Sequence, residues 1–362
     1  MNFVTLIPSL IHKHYLSSDT CNSELHPWFV TGFCDGEFSF IMSIYKKSSC
    51  TTGWQLQPIF AIDVHKKDEV LLRRIQAYFG GAGKLVKKSN SIIYSVNSIK
   101  DLVNVILPHF DNYPLLTKKR ADYLLFKEAV LFMKDKKHLT LSQEIVNIRA
   151  SINKGILPGS ILAQEFTTSP VIKPKVETPQ SLNPYWIAGF SDAEGCFFIE
   201  ITKNSKIITG YAVSLLFKIS QHKRDLALLN KILEYFSCGA IYNNSENVAA
   251  FHCKKLSDIQ TKIFPFFNQY SLQGEKLLEY NDFCKAFSII ANKEHLTEEG
   301  LLKLKGIKLG MNTSRVKSNQ NILQANVFMG LCSNISLSYL LSFLRKILLY
   351  ISYILYTVKV KN

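Results

Sequence analysis

Hydrophobic and polar residues alternate along two short stretches, FSFIMSIYK and CFFIEITKN, and this alternation predicts two half-buried β-strands. In the first stretch the apolar face carries Phe40, Met42 and Ile44, and the polar face carries Ser43, Tyr45 and Lys47. In the second stretch the apolar face carries Phe197, Ile199 and Ile201, and the polar face carries Glu200, Thr202 and Asn204. Each strand follows a segment, residues 27–36 or 184–193, that begins with a proline, which the first turn of a helix tolerates. We therefore expect a helix followed by a strand at both places.

A second strand, a second helix and a hairpin follow each of these strands. The second strands end at FAIDV and FKISQ, and the helices are KKDEVLLRRIQAYFG and KRDLALLNKILEYFS. Apolar residues recur in these helices with helical spacing, at Leu72, Ile75 and Phe79 and at Leu229, Leu233 and Phe236. The hairpins are expected at residues 84–96 and 240–253, before further helices. Because strands joined as hairpins pair antiparallel, the order of elements predicts an α+β protein with antiparallel sheets.

The two sets of elements are copies of one another. GFCDGEFSF begins at Gly32 and GFSDAEGCF begins at Gly189, an offset of 189 − 32 = 157 residues. The same offset relates His65 to His222, and the alignment needs no gap over more than a hundred residues. This period is too long for a solenoid repeat, so we infer a tandem duplication of a whole domain.

The duplication predicts how the chain is divided. We expect an N-terminal extension at 1–25, a first domain at 26–156, a linker at 157–183, a second domain at 184–315 and a C-terminal extension at 316–362. The linker is rich in Pro, Ser and Thr and has no hydrophobic period, which is typical of an extended connection.

The C-terminal extension contains an apolar stretch, residues 335–358, of about the length of a membrane span. Arg345 and Lys346 lie in its middle, where charges cost most in a bilayer. We therefore favour an amphipathic or loosely packed extension, and membrane contact is the less favoured alternative.

The net charge narrows the class of partner. A formal charge of +15 and a pI near 9.3 favour a polyanion, either a nucleic acid or an anionic membrane surface, without choosing between them. The eight cysteines include no Cys-x-x-Cys pair, which argues against a zinc ribbon.

The abundance of Phe, Ile, Leu, Lys, Asn and Tyr fits an AT-rich organellar genome, and the N-terminus shows no import signal. We therefore expect an organelle-encoded, mitochondrial protein.

Small residues share one face of each motif helix. Gly32 and Gly36 are four residues apart, and Gly189 and Ala193 repeat the spacing. Glycine in a helix interior costs about 1 kcal/mol relative to alanine, so we expect the two helices to pack closely against each other. Their ends would then bring two glutamates together, and adjacent carboxylates repel unless a cation lies between them. Mg²⁺ binds through carboxylates and phosphate oxygens, so this arrangement suits phosphodiester cleavage.

The two motifs resemble the LAGLIDADG motif of homing endonucleases, in the single-chain form with two repeats. The resemblance covers about residues 26–315 and includes QHKRDLALL and HLTEEGL. It implies a saddle of antiparallel sheets in the major groove of double-stranded DNA, two interface helices, and metal held by the last acid of each motif. Those acids correspond to Glu37 and Glu194, and the residues before them, Gly36 and Ala193, are expected to belong to the metal site as well.

The resemblance also implies further site residues. A lysine and a polar residue are expected beside the metal-bound water, and these positions correspond to Lys119, Lys276 and Gln221. The first half has Val64 in place of the glutamine, so the two active-site halves are not equivalent. Asp35 and Asp192 are interpreted as structural residues at the helix interface.

The strands and neighbouring turns are expected to contact DNA. The candidate DNA-binding residues are Ser43, Tyr45, Lys47, Gln55, Gln57, Lys84, Lys87, Lys88, Glu200, Thr202, Asn204, Lys218, Ser220, Tyr242 and Asn244. We expect a monomer that binds a long, partly palindromic site, with Mg²⁺ as cofactor and Mn²⁺ as a substitute.

Two alternative functions stay open at this point. The chain could be an RNA maturase that binds its own group I intron RNA and assists splicing. It could also be a cleavage-inactive DNA-binding protein, because the bulky Phe38 beside Glu37 and the apolar Val64 depart from the second half.

Overall fold

The computed structural model describes residues 24–50, 52–135 and 143–311, which form two halves with the same order of elements. The first half contains α1 (Pro27–Glu37), β1 (Phe38–Lys46), β2 (Trp54–His65), a 3₁₀ turn (Lys66–Asp68), α2 (Glu69–Tyr78), β3 (Lys84–Lys87), β4 (Ser91–Val96), α3 (Ile99–Asp101, continued by a π-helical stretch Leu102–Ile106 and by Leu107–Asn112), α4 (Lys119–Lys134) and α5 (Gln143–Ser151). A short helix, α6 (Ile161–Glu165), lies between the halves.

The second half repeats this order. It contains α7 (Pro184–Glu194), β5 (Gly195–Lys203), β6 (Tyr211–His222), a 3₁₀ turn (Lys223–Asp225), α8 (Leu226–Phe236), β7 (Ala240–Asn243), β8 (Val248–Cys253), α9 (Leu256–Asp258, continued by a π-helical stretch Ile259–Ile263 and by Phe264–Gln269), α10 (Lys276–Ala291), a 3₁₀ turn (Glu294–Leu296) and α11 (Glu298–Leu309).

Each half builds one four-stranded antiparallel sheet. The strand order is β1-β2-β4-β3 in the first sheet and β5-β6-β8-β7 in the second. Phe40 pairs with Phe60 and, in the second sheet, Phe197 pairs with Phe217. This arrangement of sheets and flanking helices confirms the α+β class that the hydrophobic pattern predicts.

The expectation of a gap-free repeat is wrong at the hairpins. Leu85 pairs with Tyr94, whereas its counterpart in the ladder is Ile241, which pairs with Phe251. The local offset is therefore 241 − 85 = 156 residues. The turn before β7 has three residues and the glycine-rich turn before β3 has five, because α8 is one residue longer than α2 and one residue is missing from the turn. The turn between β7 and β8 has four residues, one more than its counterpart. The missing residue and the extra residue cancel, so β8 returns to the 157-residue offset. Every later side chain therefore lies on the same side of the sheet as its counterpart.

The core of each half lies between the inner face of its sheet and the helices. Phe40, Phe60 and Phe126 are almost fully buried in the first half, and Phe197 and Phe217 are buried in the second. Both sets of rings contact one another at distances typical of aromatic pairs. The alternation of the strands therefore predicts correctly which face is apolar.

Three positions depart from the expected burial. Ile44 and Ile201 are only half-buried because they lie towards the ends of β1 and β5, beyond the helices. In α8, Leu233 is half-buried and Ile232 takes the core position.

The segment between the halves contacts the first half along its length. Ser151 Oγ donates to the carbonyl of Val171, and the Lys118 ammonium donates to the carbonyl of Val176. The Lys173 ammonium pairs with Asp122 at 2.6 Å.

The domain boundaries themselves stay predictions. The apolar stretch at 335–358 and most of the N-terminal extension lie outside the described residues, and no helix in the described part of the chain is long and apolar enough to cross a membrane.

Candidate active site

The two motif helices, α1 and α7, pack against each other through their small residues. A methyl group on Gly32 would lie 2.1 Å from the carbonyl oxygen of Trp186, and one on Gly189 would lie 2.1 Å from the carbonyl oxygen of Phe29. These two contacts are equivalent under the 157-residue offset, so the helices meet symmetrically. Backbones this close leave no room for a side chain, which explains the glycines and confirms the predicted interface.

The C-terminal ends of the two helices meet at a second small pair. A methyl group on Gly36 would lie 2.3 Å from the Cβ atom of Ala193. One of these two positions must therefore be glycine. The helices end one residue later, at Glu37 and Glu194.

Glu37 and Glu194 are partly buried where the helix ends meet. Burial raises the pKa of the Glu37 carboxyl, and the charge of Glu194 raises it further. Burial also raises the pKa of Glu194, against the opposing effect of Lys119 and Lys276. The two carboxylates thus lie close enough to repel each other, and the charges of both lysines stabilise their ionised forms.

Lys119 and Lys276 are the first residues of α4 and α10, and both side chains reach the ends of the motif helices. The Lys119 ammonium donates to the carbonyl oxygens of Gly36 at 2.6 Å and of Phe38 at 3.2 Å. The Lys276 ammonium donates to the carbonyl oxygen of Ala193 at 2.9 Å. Burial lowers the pKa of Lys119, although Asp35, Glu194 and Glu37 favour its charged form.

The polar residue at the end of the second strand differs between the halves. Gln221 is the penultimate residue of β6 and lies beside Glu194, and its hydrogen bond to that carboxylate favours the ionised acid. Val64 stands at the equivalent place in β2 and is largely buried. A cavity of about 540 Å³ lies there, and its lining includes Glu37, Val64 and Lys276. The site is therefore asymmetric, as the sequence predicts.

The Phe38 side chain packs into the core of the first half. Its ring lies 4.6 Å from the Phe40 ring and 5.7 Å from the Phe110 ring. The Lys119 ammonium lies 5.2 Å from the centroid of the same ring. The extra side chain beside Glu37 is thus accommodated by packing.

The motif aspartates hold the loops that precede the lysine-bearing helices. Asp35 accepts hydrogen bonds from the backbone N–H of Leu116 at 2.8 Å, from the Thr117 hydroxyl at 2.7 Å and from Nε1 of Trp186 at 2.8 Å. Asp192 accepts from the backbone N–H groups of Gln273 and Gly274 at 2.6 and 2.8 Å. These contacts agree with a structural role for both residues.

Most of the candidate DNA-binding side chains lie on the sheet faces opposite the helices. On the first sheet Ser43 is paired with Gln57 and Tyr45 with Gln55, and Lys84 shares that face. The same face of the second sheet carries Glu200, Thr202, Lys218, Ser220 and Tyr242. Lys47, Lys88, Asn204 and Asn244 lie just beyond strand ends.

Several of these candidates make contacts within the protein, and Lys47 donates to Gln55 at 2.6 Å. Lys87 alternates with Lys84 and lies on the helix side, where it pairs with Glu69 at 2.8 Å. Glu200 accepts hydrogen bonds from Ser214 at 2.8 Å and from Lys254 at 2.9 Å. Alternation around the short strand β3 thus separates two lysines that the sequence places together.

A profile of the LAGLIDADG endonuclease family matches residues 30–130 and 187–287, more than half of the chain. The two matched ranges are again 157 residues apart. The chain belongs to the LAGLIDADG endonuclease family.

Similar proteins include fungal intron-encoded proteins. The probable intron-encoded endonuclease 3 of Neurospora crassa is 40% identical over 305 residues, which are 82% of this chain and 56% of the relative. The chain therefore spans little more than half of that relative's length. An uncharacterised 50.9 kDa protein in ND4 intron 1 of Podospora anserina is 47% identical over 121 residues, which are 33% of this chain and 26% of that protein.

The fold matches a solved meganuclease. The structure of the I-SmaMI LAGLIDADG homing endonuclease bound to cleaved DNA is 40% identical, with a TM-score of 0.78 over 81% of this chain and 99% of that one. I-SmaMI has also been solved with an uncleaved DNA target in the presence of calcium ions, with a TM-score of 0.77 over 80% of this chain and 99% of that one, at 40% identity.

Sequence reasoning missed two aspartates that contact the starts of the lysine-bearing helices. The carboxylates of Asp68 and Asp225 accept hydrogen bonds at the starts of α10 and α4 respectively. The repeat itself was a signal, because the two aspartates correspond at the 157-residue offset. Their partners lie in the opposite half, and no local pattern indicates such a contact.

Proposed function

We propose that this chain is a divalent-metal-dependent endonuclease that cleaves both strands of a specific DNA site. One observation carries the proposal: Glu37 and Glu194 meet at the joined ends of two helices, between the ammonium groups of Lys119 and Lys276. Two mutually repelling, partly buried carboxylates at such a place favour a bound cation, because it removes their repulsion.

The donor atoms around the glutamates fit a hard divalent cation such as Mg²⁺, with Mn²⁺ as a substitute. The two carboxylates and the carbonyls of Gly36 and Ala193 offer oxygen donors, which a hard cation prefers. A carbonyl oxygen has two lone pairs, so a bond from lysine leaves one free for a metal. The described residues contain no cluster of three or more His, Cys, Asp or Glu side chains suited to a metal. This donor set therefore leaves room for phosphate oxygens of DNA.

The bound cation would activate water and stabilise the leaving oxygen of a phosphodiester. The protein's own groups would do the rest. Glu37 and Glu194 would hold the cation beside the scissile phosphates, and Lys119 and Lys276 would donate hydrogen bonds to phosphate or to the attacking water. Gln221, already bonded to Glu194, would orient water in one half only.

The sheet faces would bind the DNA. A formal charge of +15 attracts the phosphate backbone, and the polar side chains on the outer faces would contact base edges in the major groove. The side chains differ between the two sheets, so we expect a long site that is only partly palindromic. One chain carries both halves, so we expect it to act as a monomer.

We infer an organellar, intron-encoded origin from the relatives. The first fungal relative described above is named as intron-encoded, and the second is named as a protein in ND4 intron 1. A mitochondrial location follows as a proposal. Among the described residues, no contact favours the maturase alternative.

Cleavage should fail when either glutamate is neutralised, whereas DNA binding should survive. Glu37→Gln and Glu194→Gln should each lower the single-turnover rate of double-strand cleavage by about 1,000-fold or more, because the cation site is lost. Affinity should be unchanged or higher, because a negative charge facing phosphate is removed. The matched control is Glu128→Gln, an exposed glutamate on α4.

The assay needs a target and a metal series. The DNA should carry the uninterrupted insertion site of the intron, and rates should be compared in Mg²⁺, Mn²⁺, Ca²⁺ and chelator. Full cleavage in chelator, or by Glu194→Gln, would overturn the proposal.

A further inference from the structure

Asp68 and Asp225 occupy the same position in the two halves, directly before α2 and α8. Each is the N-cap residue of its own helix, a position at which aspartate normally accepts a hydrogen bond from the first turn. Neither side chain makes that bond. Both carboxylates are therefore used elsewhere.

Both carboxylates reach across to the opposite half. Asp225 Oδ1, in the second half, accepts from the backbone N–H of Lys118 in the first half at 2.7 Å. Asp68 Oδ1, in the first half, accepts from the backbone N–H of Glu275 in the second half at 2.9 Å. The two contacts are equivalent, because both donors and both acceptors are related by 157 residues.

The donors of these bonds are themselves N-cap residues. Lys118 precedes α4 and Glu275 precedes α10, and neither caps its helix with its own side chain. The first amides of a helix need acceptors, and here the acceptor comes from the other half. The next residues in the chain are Lys119 and Lys276, whose ammonium groups lie at the glutamates.

We propose that Asp68 and Asp225 are crossed positioning residues: each anchors the start of the opposite half's lysine-bearing helix and so places that half's lysine at the reacting phosphate. Asp225 positions Lys119, and Asp68 positions Lys276. The inference rests on the proposed endonuclease function. It adds that each half is completed by the other, so one strand's site cannot assemble correctly unless the two halves are docked.

The two anchors are unequal in strength. Asp225 is only 4% exposed, and its Oδ2 atom has no hydrogen-bond partner, although the Arg224 guanidinium lies 3.4 Å away. Asp68 is half-buried. A hydrogen bond to a buried acceptor is harder for water to replace. Loss of Asp225 should therefore cost more than loss of Asp68.

The decisive experiment is a pair of kinetic double-mutant cycles on the full chain. Single-turnover cleavage of labelled target DNA in Mg²⁺ should be slowed roughly 5- to 10-fold by Asp225→Ala, the size of effect expected for a lost cap. The same substitution should have less than about a twofold effect in a Lys119→Met background, because the residue it positions is gone. It should keep its full effect in a Lys276→Met background.

The companion cycle uses Asp68→Ala, which changes a less buried residue and guards against misfolding of Asp225→Ala. Its effect should disappear with Lys276→Met and persist with Lys119→Met. Asp225→Asn should retain most of the rate, because an amide oxygen can still accept the Lys118 N–H. The control is Asp111→Asn, which contacts Tyr123 and Lys127 of α4 within its own half and should leave the rate unchanged.

Coupling to the lysine of the same half, or additive losses in both backgrounds, would overturn the crossed arrangement. Full activity of Lys119→Met and Lys276→Met would also overturn it, because there would be no lysine function to position. That result would leave the endonuclease itself standing if Glu37→Gln is inactive, so the two failures are distinguishable.

Discussion

His109 makes the first half chemically different from the second. Its ring is buried between the Thr31 hydroxyl at 3.1 Å and the Tyr78 hydroxyl at 3.0 Å. Burial lowers its pKa to about 3. The equivalent positions in the second half are Ala188 and Phe266, both buried, so the same space can be filled without polar groups.

This histidine should make the protein sensitive to acid. The folded state keeps His109 neutral, whereas the unfolded chain binds a proton below about pH 6.5, so stability is lost as the pH falls from about 6.5 towards 3. At pH 5.5, one unit below the ordinary pKa, this group should cost roughly 1.4 kcal/mol. Thr31→Ala with His109→Phe copies the second half and should flatten this part of the pH dependence, as measured by urea unfolding at pH 5.5 and 7.5.

Thr31→Ala alone is the control for the pH experiment. It removes a hydrogen bond but keeps the buried imidazole, so the acid sensitivity should stay. An unchanged slope in the double variant would show that His109 is not the group responsible.

At the level of elements, the interface of α1 and α7 has room for only one methyl group where the C-terminal ends of the two helices meet. Gly36 faces Ala193, and a second methyl group would lie 2.3 Å from the first. Close-packed interiors cannot absorb such an overlap without shifting the backbone.

Exchanging the two residues should restore what a single substitution breaks. Gly36→Ala should lower the free energy of unfolding by about 1–3 kcal/mol through overpacking. Adding Ala193→Gly should recover most of that loss, because the methyl group then comes from the other helix. Gly306→Ala, at a helical glycine with open space around it, is the control and should be neutral or stabilising by up to about 1 kcal/mol.

The exchange experiment has a clear negative result. If the double variant is as unstable as the sum of the two single variants, the contact between these positions does not limit the packing. Thermal or denaturant unfolding of all four proteins would decide this.

For the whole molecule, the question is which of the many lysines meet DNA. Lys84 lies on the outer face of the first sheet, whereas Lys127 lies on α4, where it pairs with Asp111 at 2.7 Å. Charge alone does not distinguish them, because both contribute equally to the net +15.

Affinity measured at several salt concentrations should separate the two lysines. Lys84→Ala should weaken binding of target and non-target DNA alike and reduce the slope of log affinity against log salt by about 0.9, the value for one phosphate contact. Lys127→Ala should leave both unchanged. Equal slopes for the two variants would mean that the outer sheet face is not the DNA-binding surface.

The sequence alone was sufficient for the repeat, the α+β class, the helix and strand order and the family. The repeat, the class and the order of elements follow from local periodicity and from comparison of the chain with itself, whereas the family follows from the resemblance of the two motifs to the LAGLIDADG motif. The ends of α1 and α7, and hence the placement of Glu37 and Glu194, follow from the same reasoning, because each motif contains its helix, its small-residue face and its acid.

Only the tertiary structure decided which residues act across the two halves. Asp225 contacts Lys118 from 107 positions away, and Asp68 contacts Glu275 from 207 positions away, so no sequence window contains both partners. The separation of Lys87 from Lys84 and the one-residue shift of the second hairpin likewise depended on how β3 and β7 pair. Raised or lowered pKa values belong to this class as well, because burial and neighbouring charges exist only once the chain has folded.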